Sequence, residues 1–89
     1  MYSSNATSYS NYLSGEINVT VSEEVVELTT GVSQLLIYTT EPCYIKLNDN
    51  DNEIFLSGNM WMPLSLSVKT FSIRTVSGEA VAHWQGWYM

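Results

Sequence analysis

The sequence has few of the residues that build cross-links and metal centres. Cys43 is the only cysteine among 89 residues, so the chain cannot form an internal disulfide. This excludes the disulfide-stapled scaffolds that many small secreted domains use. His83 is the only histidine, and structural zinc sites need a set of cysteine and histidine ligands. We therefore expect no disulfide, no zinc and no cofactor.

Positive charge is also scarce. Three basic residues face nine acidic ones, which gives a net charge of −6. Nucleic-acid binding requires clustered basic residues that neutralise phosphates, and the three here (Lys46, Lys69 and Arg74) are scattered along the sequence. Charged residues make up 13% of the chain, about half the usual share. The composition excludes nucleic acid as a partner and suits burial against other protein chains.

Long apolar runs are missing as well. The longest, residues 35–38, is far shorter than the ~20 residues that a membrane-spanning helix needs. The first ten residues are polar and lack the apolar segment of a signal peptide. We therefore expect neither a membrane partner nor a secretion signal.

Apolar residues alternate with polar ones along most of the chain and never follow helical spacing for two turns. The alternating runs are short and are separated by Gly, Pro, Asn and Asp. This pattern predicts an all-β fold, a small antiparallel β-sandwich or jelly-roll-like barrel of seven to eight short strands. Residues 34–39 are apolar on both faces, which is typical of a central strand. A change of phase at residues 69–70 predicts a bulge or a corner between sheets.

The last two runs predict a β-hairpin. They are separated by Ser77 and Gly78, and glycine at the second turn position accepts a positive φ. Counting outward from this turn places one set of residues on a shared apolar face and sets the register. The predicted pairs are Thr75 with Ala80, Ile73 with Ala82, and Phe71 with Trp84.

A second hairpin is predicted at residues 48–52, the most turn-rich stretch of the chain. A four-residue loop there would pair Leu47 with Ile54 and Ile45 with Leu56. This register keeps the apolar side chains of the two strands on one face.

The same stretch carries alternating oxygen ligands, Asp49, Asp51 and Glu53, which are of the type that calcium uses. The glycine and the distant glutamate of the EF-hand pattern are missing. Asn and Asp are also common in hairpin loops because their side chains bond to their own backbone. We interpret the stretch as a turn without metal, and calcium binding is the alternative.

No catalytic constellation is apparent. A serine hydrolase would need a Gly-x-Ser-x-Gly elbow, which the sequence lacks. Cys43 lies on the apolar face of its predicted strand, where a buried and inert thiol is the ordinary outcome. His83 lies on the polar face of the last strand. The sequence predicts a protein that is not an enzyme.

Residues 1–15 form a compositional unit rich in Ser, Asn and Tyr, and residues 16–89 form the predicted β-sandwich domain. An arm of this composition buries too little apolar surface to offset its ordering entropy alone. We expect its tyrosines, Tyr2, Tyr9 and Tyr12, to dock on this domain or on another subunit.

Other large aromatic residues stand outside the predicted strands. Trp61 lies in a break before Pro63, and Trp87 and Tyr88 lie near the end of the sequence. Aromatic residues in loops and termini commonly mark a protein–protein interface. Two alternatives remain open: Trp61 and Trp87 could stack on sugar rings, or these residues could close the ends of the sandwich.

Four segments carry a resemblance to a known group of proteins: residues 41–47, 53–56, 63–68 and 82–87. With the Ser/Asn/Tyr-rich leader and the low charge, they resemble the small all-β virion structural proteins of tailed bacteriophages over residues 24–87. The resemblance implies a head-decoration, fibre-base, neck or tail-adaptor subunit in the virion, with no catalytic residues. Its expected partners are other virion proteins and copies of itself. The competing class is a carbohydrate- or receptor-binding module.

Size is consistent with such a subunit. A domain of this length buries only about 60–65% of the surface of its unfolded chain, so it gains stability from neighbours. With disulfides and zinc excluded, oligomerisation is the remaining source of that stability.

Overall fold

A computed structural model describes residues 11–88. Within that range the chain forms eight β-strands and no helix, which confirms the predicted all-β class. The strands are β1 (Tyr12–Val19), β2 (Glu24–Val32), β3 (Gln34–Thr39), β4 (Cys43–Leu47), β5 (Ile54–Leu56), β6 (Trp61–Leu64), β7 (Val68–Thr75) and β8 (Ala80–Trp87).

The strands form two antiparallel four-stranded sheets that pack face to face. The first sheet has the order β1-β8-β3-β6, and the second has the order β2-β7-β4-β5. The first four strands therefore pair with the last four in reverse order: β1 with β8, β2 with β7, β3 with β6, and β4 with β5. This is the strand order of a double-sheet jelly roll. The predicted sandwich is confirmed, and β3 is the interior strand that the sequence predicted.

Alternate residues of both sheets fill the space between them. The largest fully buried side chain is Phe71 of β7 in the second sheet. Its ring meets that of Trp84, from β8 in the first sheet, edge-on at a centroid distance of 5.4 Å and an interplanar angle of 80°. This aromatic pair joins the two layers across the core.

The predicted hairpin between the last two strands is wrong. β7 pairs with β2 and β4, whereas β8 pairs with β1 and β3. The turn contains Gly78, whose φ is 72°, but it carries the chain from one sheet to the other. Phe71 and Trp84 do face each other, but across the core. An alternating pattern specifies which residues point inward, and two facing sheets satisfy it as well as two paired strands do.

The register predicted for the second hairpin is also wrong, by two residues. Ile45 lies opposite Ile54, not opposite Leu56, and Leu47 pairs with Phe71 of β7. Pairing of β4 with β5 ends at Ile45 because the chain turns at Asn48. Asn48 has a φ of 55°, and its backbone N–H donates to the carbonyl of Thr70 in β7, 2.7 Å away. A shift of two residues leaves each side chain on its predicted face.

The structure also tests the predicted end of the arm and the predicted phase change at residues 69–70. β1 begins at Tyr12, so residues 12–15, assigned from sequence to the arm, belong to a strand of the first sheet. The phase change at residues 69–70 coincides with an irregular pairing of β2 with β7. Because β7 continues through it as one strand of the second sheet, it is not a corner between sheets.

Candidate binding surfaces

The outer face of the first sheet carries one row of side chains that crosses all four strands. Glu16 of β1 lies opposite His83 of β8, which lies opposite Tyr38 of β3, which lies opposite Trp61 of β6. All four point away from the core because the residues that flank them in their strands point inward. We call this set the cross-sheet row.

Contacts between neighbours hold the cross-sheet row in place. The imidazole Nδ1 of His83 lies 3.2 Å from a carboxylate oxygen of Glu16. The ring of Tyr38 lies between His83 and Trp61, at centroid distances of 6.1 and 5.4 Å. Its hydroxyl donates to the side-chain oxygen of Asn59 at 3.5 Å. Tilted aromatic pairs of this kind add attraction beyond their buried area, so the row is a pre-formed surface.

A groove of about 400 Å³ opens along this row. Its lining combines an aromatic wall with hydrogen-bonding side chains, and Trp61 remains 44% exposed beside it. We call it the Trp61 groove; it is lined by Ser14, Gly15, Glu16, Trp61, His83, Trp84 and Gln85.

Trp61 and Trp87, predicted to lie outside strands, both lie within strands of the first sheet. They do not form a pair. Trp61 is opposite Tyr38 and Trp87 is opposite Gln34, so about 13 Å of strand and two strand positions separate their attachment points. The two tryptophans are therefore too far apart for one sugar ring to contact both.

Three of the predicted interface aromatics lie at the same end of the first sheet, but not on the same face. Tyr12 lies directly opposite Trp87, and the backbone N–H of Tyr88 donates to the carbonyl of Asn11 at 3.0 Å. Tyr12 is exposed, while Tyr88 packs partly against the core. Tyr12 and Trp87 are therefore neighbours on the outer face, and Tyr88 does not belong to the surface that they form. Tyr2 and Tyr9 lie outside the described residues.

The four edge strands of the two sheets differ in how they are protected. β5 has only three residues, β6 contains a proline, and the pairing of β2 is irregular between Glu27 and Val32. Short length, proline and bulges are features by which proteins prevent edges from pairing with other chains. β1 has none of them: its eight residues pair with β8 in one continuous register, and Glu16 is its only charged residue.

The outer face of the second sheet is occupied by internal pairs. Arg74 donates to both carboxylate oxygens of Glu53, at 2.9 and 3.0 Å, and its guanidinium lies 4.8 Å from the ring centre of Tyr44. The Arg74 guanidinium holds the pKa of Glu53 below its usual range. Glu53 is thus committed to Arg74, and across residues 11–88 no three acidic, histidine or cysteine side chains are grouped to hold a metal ion.

The only cysteine is remote from the only histidine. Cys43 is fully buried between the sheets, and its thiol donates to the carbonyl of Glu41 at 3.3 Å. Burial raises the pKa of this thiol above its ordinary value. His83 belongs to the cross-sheet row on the outer face, so the two side chains do not meet.

Comparison with known proteins gives no assignment: no family model, curated protein or solved structure matches the chain. No helix suited to crossing a membrane occurs in the part of the chain that the structure describes.

Sequence reasoning selected Trp61 but missed the residues around it. Tyr38 and Glu16 were placed on strands without a role, and His83 was considered only as a zinc ligand or a catalytic group. The alternation from residue 16 onward marked Glu16 as outward-facing, whereas residues 34–39 are apolar on both faces and gave no outward side for Tyr38. The partners of both residues depend on which strands lie side by side.

Proposed function

We propose that the protein is a non-enzymatic structural subunit that acts through protein–protein assembly, and that the edge of β1 joins a second copy of the chain. The observation that carries this proposal is the edge of β1, which pairs with β8 in one continuous register and has no second partner strand among the described residues 11–88. An exposed edge presents unpaired backbone N–H and C=O groups, on which another strand can be added.

The sequence of β1 is self-complementary for antiparallel pairing. With the two copies related by a two-fold axis at Gly15, Leu13 of one copy faces Ile17 of the other, and Ser14 faces Glu16. Leu13 and Ile17 are inward-pointing and only half-buried at the edge of the core. Pairing covers both of them and extends the first sheet from four strands to eight, which is an isologous interface.

The virion location rests on the sequence resemblance and receives general support from the topology. Eight-stranded double-sheet jelly rolls occur in viral capsid domains, and also in lectins and cupins. Because one fold hosts many functions, the topology is compatible with a virion subunit without selecting one. The low charge and the single buried thiol, away from His83, support a structural role over a catalytic one.

Replacing Ile17 by lysine should prevent this assembly. An inward-pointing lysine at an edge can extend past the sheet into solvent in the single copy, but in the paired form its ammonium would be buried against Leu13 of the other copy. We expect the dissociation constant of the dimer to rise by at least about tenfold, or ~1.4 kcal/mol. Analytical ultracentrifugation of the full chain measures this change.

Met62→Lys is the matched control. Met62 is also half-buried at an edge of the first sheet, but on β6, at the opposite side. Both variants should lose a similar amount of unfolding free energy, while Met62→Lys keeps the wild-type dissociation constant. Equal dissociation of both variants, or an unchanged Ile17→Lys, would show that β1 is not the contact.

A further inference from the structure

We propose that the Trp61 groove is a binding site for a neutral saccharide. The site lies on the outer face of the first sheet. It shares Ser14, Gly15 and Glu16 with β1, but not Leu13 and Ile17, whose side chains point inward. The sequence suggested both Trp61 and Trp87 as residues that could stack on sugar rings. The site proposed here uses Trp61 together with residues of the cross-sheet row.

The aromatic wall supplies the apolar half of the recognition. Trp61 is a large ring, 44% exposed, and its position is fixed by Tyr38 at a centroid distance of 5.4 Å. Tyr38 is in turn held by the side-chain oxygen of Asn59. A rigid, exposed aromatic side chain with few rotamers offers contact area at low entropic cost. The C–H face of a pyranose ring matches such a surface.

The opposite side of the groove supplies the polar half. Gln85 presents an amide that both donates and accepts, Ser14 presents a hydroxyl, and Glu16 presents carboxylate oxygens. His83 is oriented by Glu16 through its Nδ1. Hydroxyl groups of a sugar both donate and accept, so this mixed lining fits a polyhydroxylated ligand better than it fits a purely apolar one.

Charge selects a neutral ligand over an acidic one. The groove contains the carboxylate of Glu16 and no lysine or arginine, and the chain carries a net charge of −6. An anionic sugar would meet like charge both locally and over the whole surface. The volume of about 400 Å³ lies within the range of small-ligand sites.

A glycan array of neutral and of acidic oligosaccharides, probed with the full wild-type chain, tests the proposal. We expect retention on neutral members. For the best neutral member, titration should give a dissociation constant that rises roughly tenfold in Trp61→Ala. Trp87→Ala is the matched control, because the same residue type lies on the same sheet face outside the groove, and it should leave the dissociation constant unchanged.

Gln85→Ala gives an independent check should Trp61→Ala not fold, as judged by circular dichroism, and it should also weaken binding. Absence of binding to any neutral member, stronger binding to acidic members, or equal losses in Trp61→Ala and Trp87→Ala would overturn the proposal. The Ile17→Lys variant should keep saccharide binding, so failure of the groove and failure of β1 assembly are distinguishable.

Discussion

Replacing Phe71 with alanine is expected to lower the free energy of unfolding by about 3–5 kcal/mol. Phe71 is 1% exposed and is the largest fully buried side chain of the core. Its ring supports Trp84 edge-on from the opposite sheet, so truncation opens a cavity that both sheets line. Packed sheets collapse only partly into such a cavity. Urea denaturation followed by circular dichroism measures the change.

Phe55→Ala provides the matched control for this prediction. Phe55 lies on the edge strand β5, is 51% exposed and contacts mainly the ring of Tyr44. Its truncation should cost less than about 1 kcal/mol. Equal losses from the two phenylalanines would show that Phe71 does not occupy the core.

Gly15→Ala should destabilise the protein by about 1–3 kcal/mol. A Cβ atom at this position would overlap Cζ2 of Trp84 and would lie 2.7 Å from its Cε2. The indole covers the glycine on the inner side of the first sheet, and it cannot withdraw easily because Phe71 packs against it. A methyl group here therefore displaces a side chain that joins both layers. The melting temperature and the urea midpoint should both fall.

Gly31→Ala separates steric conflict from the general effect of adding a methyl group to a strand. At Gly31 the nearest atoms to an added Cβ are 3.8 and 3.9 Å away, which is ordinary contact. We expect a change within about 0.5 kcal/mol. If Gly15→Ala were tolerated as well as Gly31→Ala, the packing of Trp84 over β1 would be wrong.

The sequence predicted the faces of the strands well because burial requires an alternating pattern. Phe71 and Trp84 were both placed inward, β3 was recognised as an interior strand, and Cys43 was expected to be buried. Each of these properties depends only on the polarity of neighbouring positions in one strand.

Strand partners could not be predicted in the same way. Among the eight strands of residues 11–88, β4 and β5 form the only pair of consecutive strands within one sheet, so turn signals report little about pairing. Ser77-Gly78 is a good hairpin turn by composition, yet it connects two sheets. The register of β4 with β5 was displaced because Asn48 bonds to residues distant in sequence.

The candidate site was likewise predictable in its residue types but not in its grouping. Trp61 was selected because of its residue type, but its neighbours Tyr38, His83 and Glu16 come from three other strands. The ion pair of Glu53 with Arg74 likewise joins a loop to β7. The sequence did not reveal this pair, so calcium binding by Glu53 remained an alternative. These groupings depend on strand order, which a single sequence does not encode locally.

The native mass of the purified full-length chain, measured by analytical ultracentrifugation over a range of concentrations, tests the proposed assembly most directly. The proposal predicts a species of twice the chain mass of 10.0 kDa that dissociates on dilution and whose formation is weakened by Ile17→Lys. A wild-type protein that sediments as a single 10.0 kDa species at every concentration would contradict it.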